Sequence, residues 1–311
     1  MKLPGQERLE NLAATALRVW LIVGLLLRVT HVRDRFDALA LVFYTTPWPV
    51  IAVGFLLLAL HFRRCAERHA TRRYTAFTLG ALFTWVATSW FSTPPSSETP
   101  ELRLIHWNVG HPEGRLPRCA RWLRAQDPDI ICLADSRAAH RLAPDRWGAE
   151  FPGYLSQEGP GTMHCLVRGE VLSRESGGLG VGSEFILHRL RVRGREVTLL
   201  QVDLYARPLQ SRRLALARGG ELLRQHADGG LIIAGDFNTP RESALLDPLR
   251  AEFAHAFETR GRGFAETWPV PALALSIDQV WLGRRWKVVD CVQPWTALSD
   301  HRPVVVSLAG G

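Results

Sequence analysis

Lysine is almost absent from this 311-residue chain. Lys2 and Lys287 are the only lysines, so arginine supplies nearly all of the 38 basic side chains. From residue 101 onward there are 27 of the 38 basic residues and 24 of the 30 acidic ones, a net charge of +3. The overall charge of +8 therefore reflects the first third of the chain, and it gives little support to a basic nucleic-acid surface on the rest.

Cysteine is also scarce, with five residues and no Cys/His spacing typical of a zinc site. Four of them, Cys119, Cys132, Cys165 and Cys291, could form disulfides in an oxidising compartment, with three possible pairings. Buried free thiols are the alternative, because apolar runs surround Cys132 and Cys165.

Long apolar stretches occur only in the first third. The segments 12–29, 38–60 and 74–91 are each about long enough to cross a hydrocarbon core of roughly 30 Å, so we predict three transmembrane helices. Two alternatives are a cleaved signal peptide at 12–29 and three helices of a soluble core. Basic residues rather than a small-residue cleavage site follow the first segment, and the second has no polar stripe. Arg18 inside the first segment needs a partner or must snorkel.

The loops between these segments predict a topology. Five arginines and a single glutamate lie between the second and third segments, and positively charged loops stay in the cytoplasm. The protein is then a multi-pass protein of the cytoplasmic membrane. Its amino terminus is cytoplasmic, and everything after residue 91 lies on the extracytoplasmic side. Residues 92–101 are rich in Ser, Thr and Pro without Lys or Arg, which indicates an extracytoplasmic linker.

Residues 102–311 have the pattern of one domain of mixed strands and helices. Helical spacing is found at 116–125 and 211–226. Strands are predicted at 102–107, 130–133, 163–167, 185–192, 197–204, 231–234, 277–282, 286–292 and 304–308.

Polar residues stand where these strands begin or end. They are Asn108, Asp135, Asp203, Tyr205, Asp236, Asn238, Asp278, Asp300 and His301. Brought to one edge of a sheet sandwich, such a set supplies oxygen ligands for a hard divalent cation, a base for water and donors for charge on phosphorus. The other histidines, His106 and His111 among them, are interpreted as surface or core residues.

Three short motifs make this pattern similar to that of a known protein family. Gly-Asp-Phe-Asn at 235–238, Ile-Asp-Gln at 277–279 and Ser-Asp-His at 299–301 follow Asn108 and Asp135 in the order seen in the endonuclease/exonuclease/phosphatase superfamily. Residues 101–311 resemble this family, and a membrane-tethered bacterial-type member is expected. The resemblance implies an α+β fold, a four-layer α/β/β/α sandwich of two packed mixed β-sheets flanked by helices.

The resemblance also implies a metal site. Asn108 and Asp135 would hold Mg²⁺ or Mn²⁺, with Asp300 in or near its shell. The family usually has Gln-Glu where this chain has Ala134-Asp135, so the carboxylate here is one methylene shorter.

The catalytic roles follow from the same resemblance. His301, oriented by Asp278, would contact the scissile phosphate and act as general base. Asp236 would align or activate the attacking water, and Asn238 would donate to a phosphate oxygen.

One family position departs further. Where many members have Thr-His-Leu with a second catalytic histidine, this chain has Val202-Asp203-Leu204. Either Asp203 or Tyr205 takes that role, since a shift of two residues keeps the same strand face.

We interpret the protein as a membrane-tethered, metal-dependent phosphodiesterase or nuclease-like hydrolase. Its partners would be a phosphoester substrate, either nucleic acid or a phospholipid or small phosphodiester, and the membrane itself; no protein partner is predicted. Two alternatives are a phosphatase acting on lipid headgroups and a binding or scaffold module that has lost the chemistry.

Overall fold

The chain forms two units. The computed structural model describes residues 4–136, 145–226 and 229–310. The units are Met1–Trp90, which is helical, and Phe91–Gly311, which contains two β-sheets.

Packing in the amino-terminal unit centres on its third helix, which contacts the fourth helix and the first. The helices are α1 (Pro4–Val29), α2 (Asp37–Thr45), α3 (Trp48–Arg64) and α4 (Arg68–Ser89). Gly54 lets Leu21 approach α3 closely, because a Cβ at Gly54 would lie 2.7 Å from the Leu21 side chain. The guanidinium of Arg18 lies 4.4 Å from the Phe62 ring centroid, so this charge has the partner that its position in an apolar helix requires.

The predicted number of membrane-spanning helices was wrong. Among the described residues, Arg8–Val29 is the one helix long and apolar enough to cross a membrane, and a signal sequence would meet the same measure. The predicted span 38–60 is instead two helices, α2 and α3, whose axes are bent by 67° at the break between them. The two helices amount to a second membrane span only if they are counted together as one bent span. The bend follows from Pro47, which restricts the residue before it and cannot donate a helical hydrogen bond. Threonines recur along α4, and the predicted third span, 74–91, ends in a strand.

The carboxy-terminal unit is built mainly of strands. They are β1 (Trp90–Ser92), β2 (Leu102–Asn108), β3 (Ile130–Ala134), β4 (Leu155–Glu158), β5 (His164–Val167), β6 (Glu170–Gly180), β7 (Ser183–Val192), β8 (Arg195–Asp203), β9 (Leu231–Asp236), β10 (Ala254–His255), β11 (Gly261–Phe264), β12 (Asp278–Leu282), β13 (Trp286–Val292) and β14 (Val304–Gly310). The helices are α5 (Leu116–Ala125), α6 (Arg146–Glu150), α7 (Arg213–Gln225), α8 (Asp247–Glu252) and α9 (Ala256–Arg260), with a 3₁₀ turn at Ala244–Leu246.

These strands form two mixed sheets. One has eight strands in the order β1-β11-β13-β14-β2-β3-β5-β4, and the other has six in the order β10-β12-β9-β8-β7-β6. Successive residues of β2 face opposite sides: Leu104 packs in the core shared with Ile232 of the second sheet, whereas Ile105 packs with Leu123 of α5. Leu223 of α7 packs on the outer face of the second sheet. The predicted pair of packed mixed sheets flanked by helices is confirmed.

The segment predicted as a linker, 92–101, lies along the larger sheet. The Ser96 N–H donates to the Val289 carbonyl at 2.8 Å, and Glu98 pairs with Lys287 at 3.1 Å. The predicted domain boundaries themselves stay a prediction.

All five cysteines are free thiols. Cys132 and Cys165 lie directly opposite each other on β3 and β5, and both are fully buried. Of the two alternatives for the cysteines, the structure therefore has the buried thiols rather than disulfides.

Candidate active site

The topology brings polar side chains to one edge of the sandwich. β2 runs parallel to β3, and β8 runs parallel to β9, so the carboxyl ends within each pair share an edge. β14 is antiparallel to β2 and β12 is antiparallel to β9, which places their amino ends at that edge. The residues delivered there are Asn108, Asp135, Asp203, Asp236, Asp278 and His301.

Asp278 and His301 form a buried pair. His301 Nδ1 lies 2.8 Å from Asp278 Oδ2. Burial alone would lower the pKa of His301, but the Asp278 carboxylate, helped by Asp236 and Asp300, raises it to about 10. Burial would raise the pKa of Asp278, but His301 and His106 hold it well below its usual range. At neutral pH the pair is therefore an imidazolium bonded to a carboxylate.

The second oxygen of Asp278 faces another histidine. His106 Nε2 lies 3.3 Å from Asp278 Oδ1, and both side chains are 0% exposed. His106 precedes Asn108 by two residues on β2, so both project from the same face of the strand. Of the two interpretations of His106, surface or core, the structure has the core one, and its spacing from Asn108 was the available signal for a place beside the site.

Asn108 stands between two carboxylates. Its Nδ2 donates to Asp135 Oδ2 and to Asp236 Oδ2, each at 3.0 Å. Its Oδ1 accepts from the Gly110 N–H at 3.0 Å, and the Thr162 hydroxyl donates to Asp135 Oδ1 at 3.1 Å. Carboxylates from the two different sheets therefore converge on one amide.

Burial and mutual repulsion raise the pKa values of two of these acids. For Asp236, burial and, to a smaller extent, repulsion from Asp278 raise the pKa to about 6, while His301 and the Asn108 amide oppose the rise. Asp203 lies beside Asp236 across the β8–β9 pair. Burial and, to a smaller extent, repulsion from Asp236 raise the pKa of Asp203 well above its usual range. Both carboxyl groups therefore have pKa values above the usual range of aspartate.

Asp203 and Tyr205, the two candidates for the second family histidine, occupy different places. Asp203 faces the buried acids through its register with Asp236. Tyr205 lies past the end of β8, where a Cβ on Gly182 would come within 2.8 Å of its ring, and its N–H donates to the Ser183 hydroxyl at 3.0 Å. Tyr205 thus packs at the turn between β6 and β7, whereas Asp203 lies in register with Asp236.

The Gly-Asp-Phe-Asn motif ends β9 in a tight turn. Asp236 Oδ1 accepts from the Asn238 N–H at 2.9 Å, and Asn238 adopts φ 45°, a left-handed conformation that asparagine tolerates. The Asn238 side-chain amide donates to the Leu204 carbonyl at 2.7 Å. One of its two amide hydrogens is therefore used within the protein.

The Ser-Asp-His motif is tied to β2. Ser299 Oγ donates to the Asn108 carbonyl at 2.8 Å and accepts from the His301 N–H at 3.1 Å. Asp300 is exposed, and its Oδ2 accepts from Trp268 Nε1 at 3.1 Å. Asp300 is therefore held at the rim of the site rather than in its buried centre.

The donor set fits a divalent cation. In the described ranges, two groups bring three potential ligand atoms within 4.8 Å of one another, namely Asp236 with Asp278 and His301, and Asp145 with Glu158 and His164. The first group belongs to this site, where the Asp278–His301 bond already engages two side chains of the group, and the carboxylates beside the Asn108 amide are those of Asp135 and Asp236. A cation would relieve the repulsion among its acids, and carboxylates with an amide oxygen are the ligands that Mg²⁺ and Mn²⁺ prefer.

Comparison with known proteins identifies the same region. The model of the endonuclease/exonuclease/phosphatase family matches residues 105–301, a range that contains every site residue named above. A search of the curated proteins finds no match.

Solved structures share the fold. A family protein from Bacteroides thetaiotaomicron matches with a TM-score of 0.59 and 16% identity, over 68% of this chain and 98% of that one. The mannosyl-6-phosphatase of the same organism matches with a TM-score of 0.56 and 16% identity, over 67% and 100%. TDP2 of D. rerio, solved with a single-strand DNA product, matches with a TM-score of 0.53 and 16% identity, over 67% and 98%. At such identities the likeness is one of fold alone.

Proposed function

Because the chain belongs to the endonuclease/exonuclease/phosphatase family, we propose that it is a divalent-metal-dependent phosphoester hydrolase, and specifically a phosphodiesterase. The supporting observation is the buried Asp278–His301 pair with Asp236 within 4.8 Å of both. Burying several mutually repelling acids costs stability, and a catalytic role accounts for retaining them.

We assign His301 to the substrate phosphate. Its Nδ1 is bonded to Asp278, which leaves Nε2–H to donate to a phosphoryl oxygen. Asp278 fixes the ring orientation and tautomer. The Asp278 carboxylate outweighs burial and raises the pKa of His301 to about 10, which favours a protonated ring that donates to the phosphate, and the general-base role that the family resemblance implies for His301 stays a prediction.

Asp236 is the proposed base. Its pKa of about 6 lies close enough to neutrality for the carboxylate to accept a proton from water. Asp203 would hold a proton beside it, in the position of the second family histidine. The free amide hydrogen of Asn238 would donate to a phosphate oxygen.

Asn108 and Asp135 would hold the cation, Mg²⁺ or Mn²⁺, with Asp300 at the rim nearby. When bound, the cation would neutralise charge that develops on the phosphoryl oxygens. The short side chain of Asp135 is compatible with this role because it already converges with Asp236 on the Asn108 amide.

We also propose membrane attachment through the amino-terminal unit. Large apolar side chains on α1, α3 and α4 are exposed, including Ile22, Leu57 and Phe83, as expected for a surface in contact with lipid. A single crossing by α1, with the amino terminus in the cytoplasm, would place the catalytic unit outside the membrane. A reporter fused after Phe91 tests this side: an active periplasmic-type reporter supports it, and an active cytoplasmic-type reporter contradicts it.

The test of the activity uses the full-length chain in detergent. A chromogenic phosphodiester, a phosphomonoester, single- and double-stranded DNA and phospholipid vesicles are supplied with Mg²⁺, Mn²⁺ or chelator. We expect metal-dependent diester cleavage that is lost in His301→Gln and kept in the control His226→Gln, which changes a histidine at the end of α7. Cleavage of monoesters alone would indicate a phosphatase. A folded chain with no turnover and no cation binding would indicate a binding module.

A further inference from the structure

We infer that His106 is a positioning residue. It contacts the oxygen of Asp278 that does not face His301, and it thereby holds the Asp278–His301 pair in its working orientation. The inference rests on the proposed function, because the pair matters only if it contacts substrate.

The Asp278 carboxylate is held on both oxygens. His301 Nδ1 donates to Oδ2 at 2.8 Å, and His106 Nε2 lies 3.3 Å from Oδ1. The Asp278 N–H donates to the Thr267 hydroxyl at 3.2 Å, which fixes the backbone. A carboxylate with one partner can turn about its Cβ–Cγ bond, whereas partners on both oxygens fix its plane. The plane of Asp278 in turn sets the direction in which His301 Nε2 points.

His106 is well placed to act as a fixed support. It lies on β2, an interior strand paired with β14 on one side and β3 on the other, where His106 is opposite Val304 and Cys132. Asp278 belongs to the other sheet. The contact therefore joins the two sheets directly beneath the site.

An apolar residue would serve packing better than His106 does. His106 Nδ1 is buried, and it has no hydrogen-bond partner among the residues that the structure describes. An unsatisfied buried nitrogen costs stability, which a side chain retained only for packing would avoid. The contact with Asp278 accounts for the imidazole.

Two substitutions separate positioning from packing. His106→Leu fills the space without a donor, whereas His106→Gln can place an amide N–H near the position of the imidazole Nε2. In the full-length chain we expect His106→Leu to lower kcat about 10- to 100-fold with KM within about twofold, as for other residues that orient a catalytic group. His106→Gln should stay within about threefold of the parent because the donor is restored. His188→Leu, which removes an equally buried histidine on β7, is the control for loss of a core imidazole and should leave kcat unchanged.

A second readout does not need activity. The His301 Nδ1–H bonded to Asp278 should give a low-field proton resonance in ¹⁵N-histidine-labelled protein, assigned by its loss in His301→Gln. We expect it to broaden or shift in His106→Leu and to persist in His106→Gln and His188→Leu. If no substrate is cleaved, the proposed function fails while this signal still tests the positioning. The inference is overturned if His106→Leu leaves both kcat and the resonance unchanged, or if His106→Gln loses as much as His106→Leu.

Discussion

Replacing Asp278 by asparagine should move both limbs of the pH–activity profile toward acid. The substitution keeps the shape and removes the charge that faces His301 at 2.8 Å and repels Asp236. Without that repulsion the pKa of Asp236 falls below its value of about 6, so the proposed base becomes ionised at lower pH. Without the attraction the pKa of His301 falls below about 10, so the proposed phosphate donor loses its proton at lower pH.

The magnitude follows from the charge that is lost, because the asparagine oxygen can still accept a hydrogen bond from His301. A hydrogen bond to a charged group contributes about 1.5–3 kcal/mol, and a neutral one about 0.5–1.5 kcal/mol. If the difference of roughly 1–1.5 kcal/mol orients His301 in the transition state, kcat should fall about 5- to 13-fold. The stability should change less than kcat, since Asp278→Asn also removes repulsion from the neighbouring acids.

The assay is kcat/KM for a chromogenic phosphodiester from about pH 4 to pH 11 at fixed cation concentration, because kcat/KM reports the pKa values of the free enzyme. The control is Asp290→Asn on β13, which removes a carboxylate bonded to Arg262 and should leave both limbs of the profile in place. An acid limb that stays near pH 6 or moves upward in Asp278→Asn would refute the coupling of Asp278 to Asp236.

Three further predictions concern other parts of the unit. Asn108→Leu removes the amide on which two carboxylates converge and should weaken Mn²⁺ binding about 10- to 100-fold by calorimetry; unchanged affinity would contradict the assigned ligand. Burial lowers the pKa of His255 to about 3, and its Nδ1 accepts the Glu258 N–H at 3.2 Å. The free energy of unfolding should therefore fall as the pH drops from the usual histidine pKa of about 6.5 toward 3, by up to about 1.4 kcal/mol per pH unit. Denaturant titrations at several pH values should show that the unfolding free energy of His255→Gln depends less steeply on pH. Gly235→Ala places a Cβ against a backbone carbonyl of β8 and should cost about 1–3 kcal/mol, whereas Gly219→Ala on α7 meets nothing within 4 Å and should gain up to about 1 kcal/mol; equal melting temperatures would rule out this reading.

Strands buried on both faces were predictable from the sequence. β9 and β14 are continuous apolar runs, and the structure has them within a few residues of the predicted bounds. β6 was missed because most of its residues are exposed and polar, and its glycines add no apolar period. The bend after α2 was missed because composition favours a continuous apolar span, although Pro47 carried the signal.

The site was predictable where short motifs fix neighbouring residues along the chain. Asp236, Asp278 and His301 each lie in such a motif, and the structure brings all three within 4.8 Å of one another. His106 was not predictable in this way, because its contact with Asp278 joins two sheets across 172 positions of sequence. The position of Asp203 beside Asp236 was likewise not predictable from a motif, because it depends on the register of β8 with β9.

The pairing of β2 with β14 has a consequence for how the protein is made. The first long strand of the unit emerges from the ribosome early, yet one of its two neighbours is the last strand of the chain. Until β14 has been synthesised, β2 exposes an unpaired edge, and such an edge favours aggregation of the incomplete chain. A premature stop before residue 299 would remove both β14 and the Ser-Asp-His motif, so the truncated product would lack a partner for β2 and a complete site.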